Sequence, residues 1–133
     1  MMHGVLADAG PLYAAADESD AHHQRAHRES QALENSRRQI VIAYRTFLET
    51  HALVLARMGP RTASLWLSYM SDAMLINPSL DDYQQALMRV RALPDQRITL
   101  FDATVAVMAA NLGLEVWTYD HHFDVMRVPV WLT

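Results

Sequence analysis

Apolar residues in this chain form two kinds of run, short continuous stretches and longer stripes at helical spacing. From Leu100 to Leu112 the large apolar residues Phe101, Val105, Met108 and Leu112 recur at three- and four-residue intervals, and Gly113 follows as a left-handed cap. That predicts a helix ending at Gly113. Val116 to Tyr119 is a short β-prone run that stops at Asp120, and Gly4 to Ala7 is another that stops at Asp8. Both predict buried strands with an acid at the carboxyl end. Ala9-Gly10-Pro11 then reads as a turn opening a helix from Leu12 to Ala16. Gln39 to Tyr44 (QIVIAY) predicts the second strand, and Arg45 to Met58 a helix with Phe47, Leu48, Leu55 and Met58 as its core stripe, stopped by Gly59-Pro60.

A second apolar helix follows from Arg61 to Met70, with Trp66 and Tyr69 suggesting either a core element or a dimer surface. Ala73 to Ile76 predicts a third strand, and Leu80 to Leu93 an amphipathic helix carrying Tyr83, Leu87 and Val90. Val128 to Leu132 predicts a fifth strand, which Pro129 would keep at an edge. Ser19 to Ser36 is polar, with only Ala21, Ala26 and Leu33 as apolar points, and reads as an exposed helix or helical pair. Strands alternating with helices imply an α/β fold: a three-layer α/β/α sandwich around a mostly parallel five-stranded sheet. The 133 residues suit one domain spanning 1–133.

Charge narrows the partners. Eleven basic and fifteen acidic residues leave a net charge of −4, so a nucleic acid would be gripped locally and not by a global positive field. Every basic residue is an arginine, a side chain suited to bidentate phosphate contacts. No apolar run reaches the roughly 20 residues of a membrane span, and Asp8 interrupts the only stretch resembling a secretory leader. A cytoplasmic protein is expected. The lack of cysteine excludes disulfides and thiolate metal sites. His23 and His27 are four apart, but with no HExxH pattern and no clear third ligand they read as part of a solvated helix.

Four acids stand out by position. Asp8 and Asp120 lie at carboxyl ends of predicted strands, and Glu49 and Asp102 in the first turns of helices. Each has a structural alternative: Asp8 and Asp120 as helix N-caps, Asp102 as partner of Thr99 in a capping box, Glu49 as a charge favoured by the helix dipole. Yet Glu49 leads a face continued by Ala52, Leu53 and Ala56, and Asp102 one continued by Ala106 and Ala109, an unusual setting for solvated acids. All four can meet over one edge of the sheet. Carboxylates crowded there repel one another unless a cation neutralises them, and oxygen-only ligation suits Mg²⁺ or Mn²⁺. Such an ion can orient and polarise a phosphodiester for attack by water.

At these residues a resemblance becomes specific. VLADAGPLYAAAD around Asp8, FLETHALVLARMG around Glu49, ITLFDATVAVMAANLG around Asp102 and VWTYDHHFD around Asp120 resemble, in order, the four acidic motifs of PIN-domain ribonucleases. The similarity covers nearly the whole chain and is closest to the single-domain toxins of VapBC-type toxin–antitoxin pairs. It implies a PIN-like fold and a metal-dependent endoribonuclease in which Asp8, Glu49, Asp102 and Asp120 hold Mg²⁺ or Mn²⁺. It also implies a protein antitoxin as inhibitor, RNA as substrate and a homodimer as the working form. Thr118 aligns with a small hydroxyl residue before the fourth acid that can order a ligand water, and Asp124 reads as a cap.

Two positions depart from the pattern: Ala9 stands where Ser or Thr commonly follows the first acid, and Phe101 where a polar residue often precedes the third. A haloacid-dehalogenase-like phosphatase would need an acid at Gly10, and a response-regulator receiver a lysine, which the chain lacks. The competing reading is a PIN-fold module that binds RNA or protein without cutting.

Overall fold

The four residues of β1 (Gly4–Ala7) are apolar throughout because both faces of this strand are covered. The computed structural model describes residues 3–132 and places β1 inside a parallel sheet of order β3-β2-β1-β4. β2 (Gln39–Ala43) and β4 (Glu115–Trp117) flank it, with Leu6 opposite both Val41 and Val116, and β3 (Met74–Ile76) lies beyond β2. Side chains alternate across the pleat. Leu6, Val41 and Val116 pack on the face covered by α4 (Leu80–Arg91) and α5 (Leu100–Leu112), while Val5, Ala7, Ile42 and Trp117 pack on the opposite face. That second face belongs to α1 (Ala9–Ala16), α2 (His23–Asn35) and α3 (Tyr44–Tyr69), and a short α6 (His122–Val125) follows β4.

The chain runs outward from β1 to β2 to β3 and then returns to lay β4 on the other side of β1. The strand order therefore reverses between β1 and β4, and crevices at such switch points are where open α/β sheets hold their ligands. α5 reaches the sheet closely because Ala103, Ala106 and Ala109 are small and fully buried, and it ends as expected, with Gly113 at φ 69°.

Three expectations need correction. The sheet has four strands, not five: Val128 to Leu132 contributes only a single parallel bridge, Val116 to Val130. The next bond along that ladder would need an N–H from Pro129, which has none. β4 ends at Trp117 rather than Tyr119, because Thr118 turns its hydroxyl to the backbone N–H of Asp120 and the chain leaves the sheet. The buried stripe of α3 is Thr46, Thr50 and Val54, one turn apart, with Leu48 and Leu55 outside and the Glu49, Ala52, Ala56 face in solvent. Of the two roles open to the Arg61 to Met70 helix, Trp66 takes the core one: its ring lies tilted against Phe47 at 5.0 Å between centroids, inside a cluster with Tyr13 and Val54.

α3 breaks at Gly59, where φ is 88° and ψ 170°, a region only glycine enters without strain, and Pro60 starts the second arm. A Cβ at Gly59 would meet no atom within 4 Å. Gly59→Ala therefore isolates backbone strain from packing, and urea unfolding is expected to show a loss of about 1–3 kcal/mol. A loss below about 0.5 kcal/mol, the level of an ordinary surface change, would show that the kink relaxes freely.

Candidate active site

Asp8 leaves β1 at the switch point, held to the neighbouring strand by its backbone N–H, which donates to the Trp117 carbonyl at 2.9 Å. It occupies the N-cap position of α1 without using its side chain as a cap. Pro11 withholds one of the N–H groups that such a cap would take. The carboxylate turns to β4 instead, and Oδ2 accepts from the Thr118 hydroxyl at 2.8 Å. Thr118, itself buried, accepts in turn from the Asp120 N–H at 3.0 Å. One hydroxyl thus fixes the ends of β1 and β4 together.

Asp120 is half-buried and uses Oδ1 to accept from the His122 N–H at 2.9 Å, so part of the capping alternative holds for it. Asp102 differs: Thr99 caps its N–H at 3.0 Å, but no return bond from the carboxylate to Thr99 is formed. Its carboxylate turns to His122, whose Nδ1 lies 3.8 Å from Asp102 Oδ2 and 3.3 Å from Asp120 Oδ1. Asp102 and Asp120 therefore both face His122, near enough to Asp8 for their charges to act on it. Burial pushes the Asp8 carboxyl above its ordinary range, the Thr118 hydroxyl pulls against that rise, and the charges of Asp102 and Asp120 add to it.

Glu49 stands apart from this group. It is exposed on α3 and paired with Arg45 at 3.0 Å, while the Arg45 guanidinium lies over the Phe101 ring at 4.6 Å. Through Arg45, Glu49 is linked to the first turn of α5, one residue from Asp102. Asp124 is exposed and its N–H bonds to the His121 carbonyl.

His122 is not singled out by the sequence, since a histidine beside another histidine on a short polar turn carries no periodic signal. Its Nδ1 is buried with no hydrogen-bond partner. Glu29 is a second residue the sequence hides. It is buried in the wall behind β4, accepts from Trp117 Nε1 at 3.2 Å and from the Tyr119 hydroxyl, and pairs with Arg25 at 3.5 Å. Arg25 also covers the Tyr119 ring at 4.1 Å, so this arginine serves the wall of the fold. Burial, then Glu29, drive the Tyr119 hydroxyl well above its usual range. The spacing of Glu29 with Ala26 and Leu33, all on the buried side of α2, was the available signal.

The donor set fits a divalent cation. Among the described residues none of the three converging carboxylates is paired with an arginine, and a buried imidazole nitrogen without a partner points into the same place. A cavity of about 560 Å³ lies beside Gln39, Ile40 and Trp66. It contains none of the four acids and is not the candidate site.

No family model and no curated protein match the sequence. Solved structures do match the fold. The sarcin–ricin-loop-cleaving toxin VapC20 of Mycobacterium tuberculosis superposes with a TM-score of 0.77 at 19% identity, over 94% of this chain and 96% of that one. The chain has the VapC toxin fold. VapBC2 of Rickettsia felis, solved with a DNA fragment from its promoter, gives a TM-score of 0.75 at 13% identity, over 95% of both chains. FitAcB of Neisseria gonorrhoeae gives 0.69 at 16%, over 96% of both chains. At these identities the likeness concerns architecture: a VapC-like parallel sheet with helices on both faces. No described helix is long and apolar enough to cross a membrane.

The raised Asp8 carboxyl has a consequence for stability. An unfolded aspartate titrates near 3.9; the folded one holds its proton to higher pH, so Asp8 favours the folded state below the unfolded value. That contribution is lost as pH rises through the folded pKa, and at neutral pH the buried charge is a cost. Asn keeps an acceptor for Thr118 without the charge. Without divalent ions, Asp8→Asn is expected to melt above wild type at pH 7, with the gap closing as pH falls toward 4, measured by thermal scans across pH. A gap independent of pH would show that the charge is not responsible.

Proposed function

We propose that this chain is the toxin of a type II toxin–antitoxin pair, a cytoplasmic metal-dependent endoribonuclease of the PIN-domain class that hydrolyses RNA phosphodiester bonds and is silenced by a protein antitoxin. The observation that carries the reading is the convergence of Asp8, Asp102 and Asp120 at the β1–β4 switch point with no arginine to balance them. In support, a fold neighbour is described as a sarcin–ricin-loop-cleaving toxin, and another as a toxin–antitoxin complex from Klebsiella pneumoniae.

In this reading Asp8, Glu49, Asp102 and Asp120 form the acidic set that holds Mg²⁺ or Mn²⁺. When bound, the ion supplies charge stabilisation of the phosphodiester and a more acidic water. The protein contributes position. Thr118 keeps Asp8 aimed across the switch point, and the His122 N–H fixes one oxygen of Asp120, so these two carboxylates are oriented before an ion arrives. Glu49 is the acid assigned to the set from α3, where it stands apart in its pair with Arg45, and that guanidinium offers a phosphate oxygen a counter-charge. Ala9 leaves Thr118 as the hydroxyl that serves the first acid.

The protein freed of antitoxin and incubated with tRNA and total RNA plus Mn²⁺ is expected to give discrete fragments that vanish with EDTA. Asp8→Asn should lower the cleavage rate by more than roughly 100-fold, beyond the loss typical of an outer-shell change, and Glu49→Gln by less than Asp8→Asn. Equal cleavage by Asp8→Asn and wild type would reject the site, and RNA retained but uncut would make the chain a binding module. The dimer expected of such toxins is assigned to the outer side of α3, where Leu65 and Tyr69 are exposed while Trp66 is not. Tyr69→Glu should halve the sedimentation mass, and an unchanged dimer would clear this face of the role.

A further inference from the structure

His122 has a place in the site that the oxygen-only reading does not use. We propose that His122 is a nitrogen ligand of the divalent ion, and that it tilts the site away from Mg²⁺ toward Mn²⁺ and the later first-row metals. The inference rests on the metal-dependent reading above and deepens it by naming the class of ion.

The residue is fixed before any ligand arrives. Its N–H donates to Asp120 Oδ1 at 2.9 Å at the start of α6, and its ring is largely enclosed, with 19% of the side chain exposed. Nδ1 is buried and makes no hydrogen bond, although carboxylate oxygens lie 3.3 Å and 3.8 Å away. A lone pair facing two carboxylates at those distances is repelled by both, and an N–H there is not aligned to donate to either. A cation held by Nδ1 and one of these carboxylates resolves the conflict. Two atoms bound to one ion at about 2.0–2.2 Å stand roughly 3 Å apart when adjacent and a little over 4 Å apart when opposite. Separations of 3.3 Å and 3.8 Å fall inside that window.

The chemistry then selects the metal. Mg²⁺ prefers oxygen donors in near-ideal octahedral geometry and keeps its waters, whereas an imidazole nitrogen favours the later first-row ions. His121 is a weaker candidate. It is exposed, with Nδ1 3.8 Å from Asp120 Oδ1, although one ligand atom each from Asp120, His121 and His122 lie within 4.8 Å of one another.

Pulsed electron paramagnetic resonance of the full chain loaded with Mn²⁺ tests this directly. The wild-type spectrum should show coupling to a directly bound nitrogen, kept in His121→Ala and lost in His122→Ala. By equilibrium titration, His122→Ala should weaken Mn²⁺ binding by on the order of tenfold or more and leave Mg²⁺ binding unchanged. Mn²⁺ bound by wild type without nitrogen coupling would overturn the role of His122 while leaving the acidic site intact. No Mn²⁺ binding at all would remove both this inference and the metal-dependent reading. Because the wild-type spectrum needs no substitution, poor folding of His122→Ala would not shelter the idea.

Discussion

The Thr118 hydroxyl reaches across 110 positions of sequence to donate to the Asp8 carboxylate, and it accepts from the Asp120 backbone. Everything at the carboxyl edge of the sheet depends on that bridge. A carboxylate that is mostly out of water needs a donor, and a hydrogen bond to a charged group returns about 1.5–3 kcal/mol. Burial still prevails at Asp8, as its raised pKa shows. The protein therefore carries an electrostatic cost at the switch point, and the stability that offsets it comes from elsewhere: the wholly apolar β1, the close approach of α5, and the Tyr13, Val54 and Trp66 cluster on the far face.

What was legible in the sequence follows from how local each signal is. The helix from Leu100 to Gly113 could be read with both of its ends because periodicity, the Thr99 cap and the glycine stop all lie within the segment. β1 could be read because a strand buried on both faces is apolar at every position. The stripe of α3 differs from the apolar pattern because Thr46 and Thr50 are fully buried, the Thr46 hydroxyl included, while Thr50 Oγ1 donates back to the Thr46 carbonyl at 2.8 Å, so polar residue types conceal a core face. The fifth strand failed for a reason visible only in pairing, since the missing N–H of Pro129 matters once Leu114 is its neighbour across the sheet.

The candidate site divides in the same way. Asp8 and Asp120 could be found because an acid after a buried strand marks the edge where ligands bind, and Asp102 because small residues follow it on its face of α5. Glu49 was placed on an apolar face that the fold leaves in solvent, and its link to the other acids runs through Arg45 and Phe101, which no spacing rule connects. His122 and Glu29 acquire their meaning from neighbours 20 and 88 residues away, Asp102 and Trp117. Phe101, a departure from the common pattern of these motifs, has a use here as the seat for the Arg45 guanidinium.

The proposed RNA substrate is a polyanion, and a chain with net charge −4 has to receive it. Long-range attraction is weak and is screened within about 8 Å at physiological ionic strength, so recognition falls to groups at the site itself. Arg25 is committed to Glu29 and Tyr119, and Arg38 to Glu115 at 2.8 Å, which removes two arginines from that task. Arg45 lies over Phe101 in the first turn of α5, and its pairing with Glu49 is exposed, a contact of the kind that exchanges at little cost.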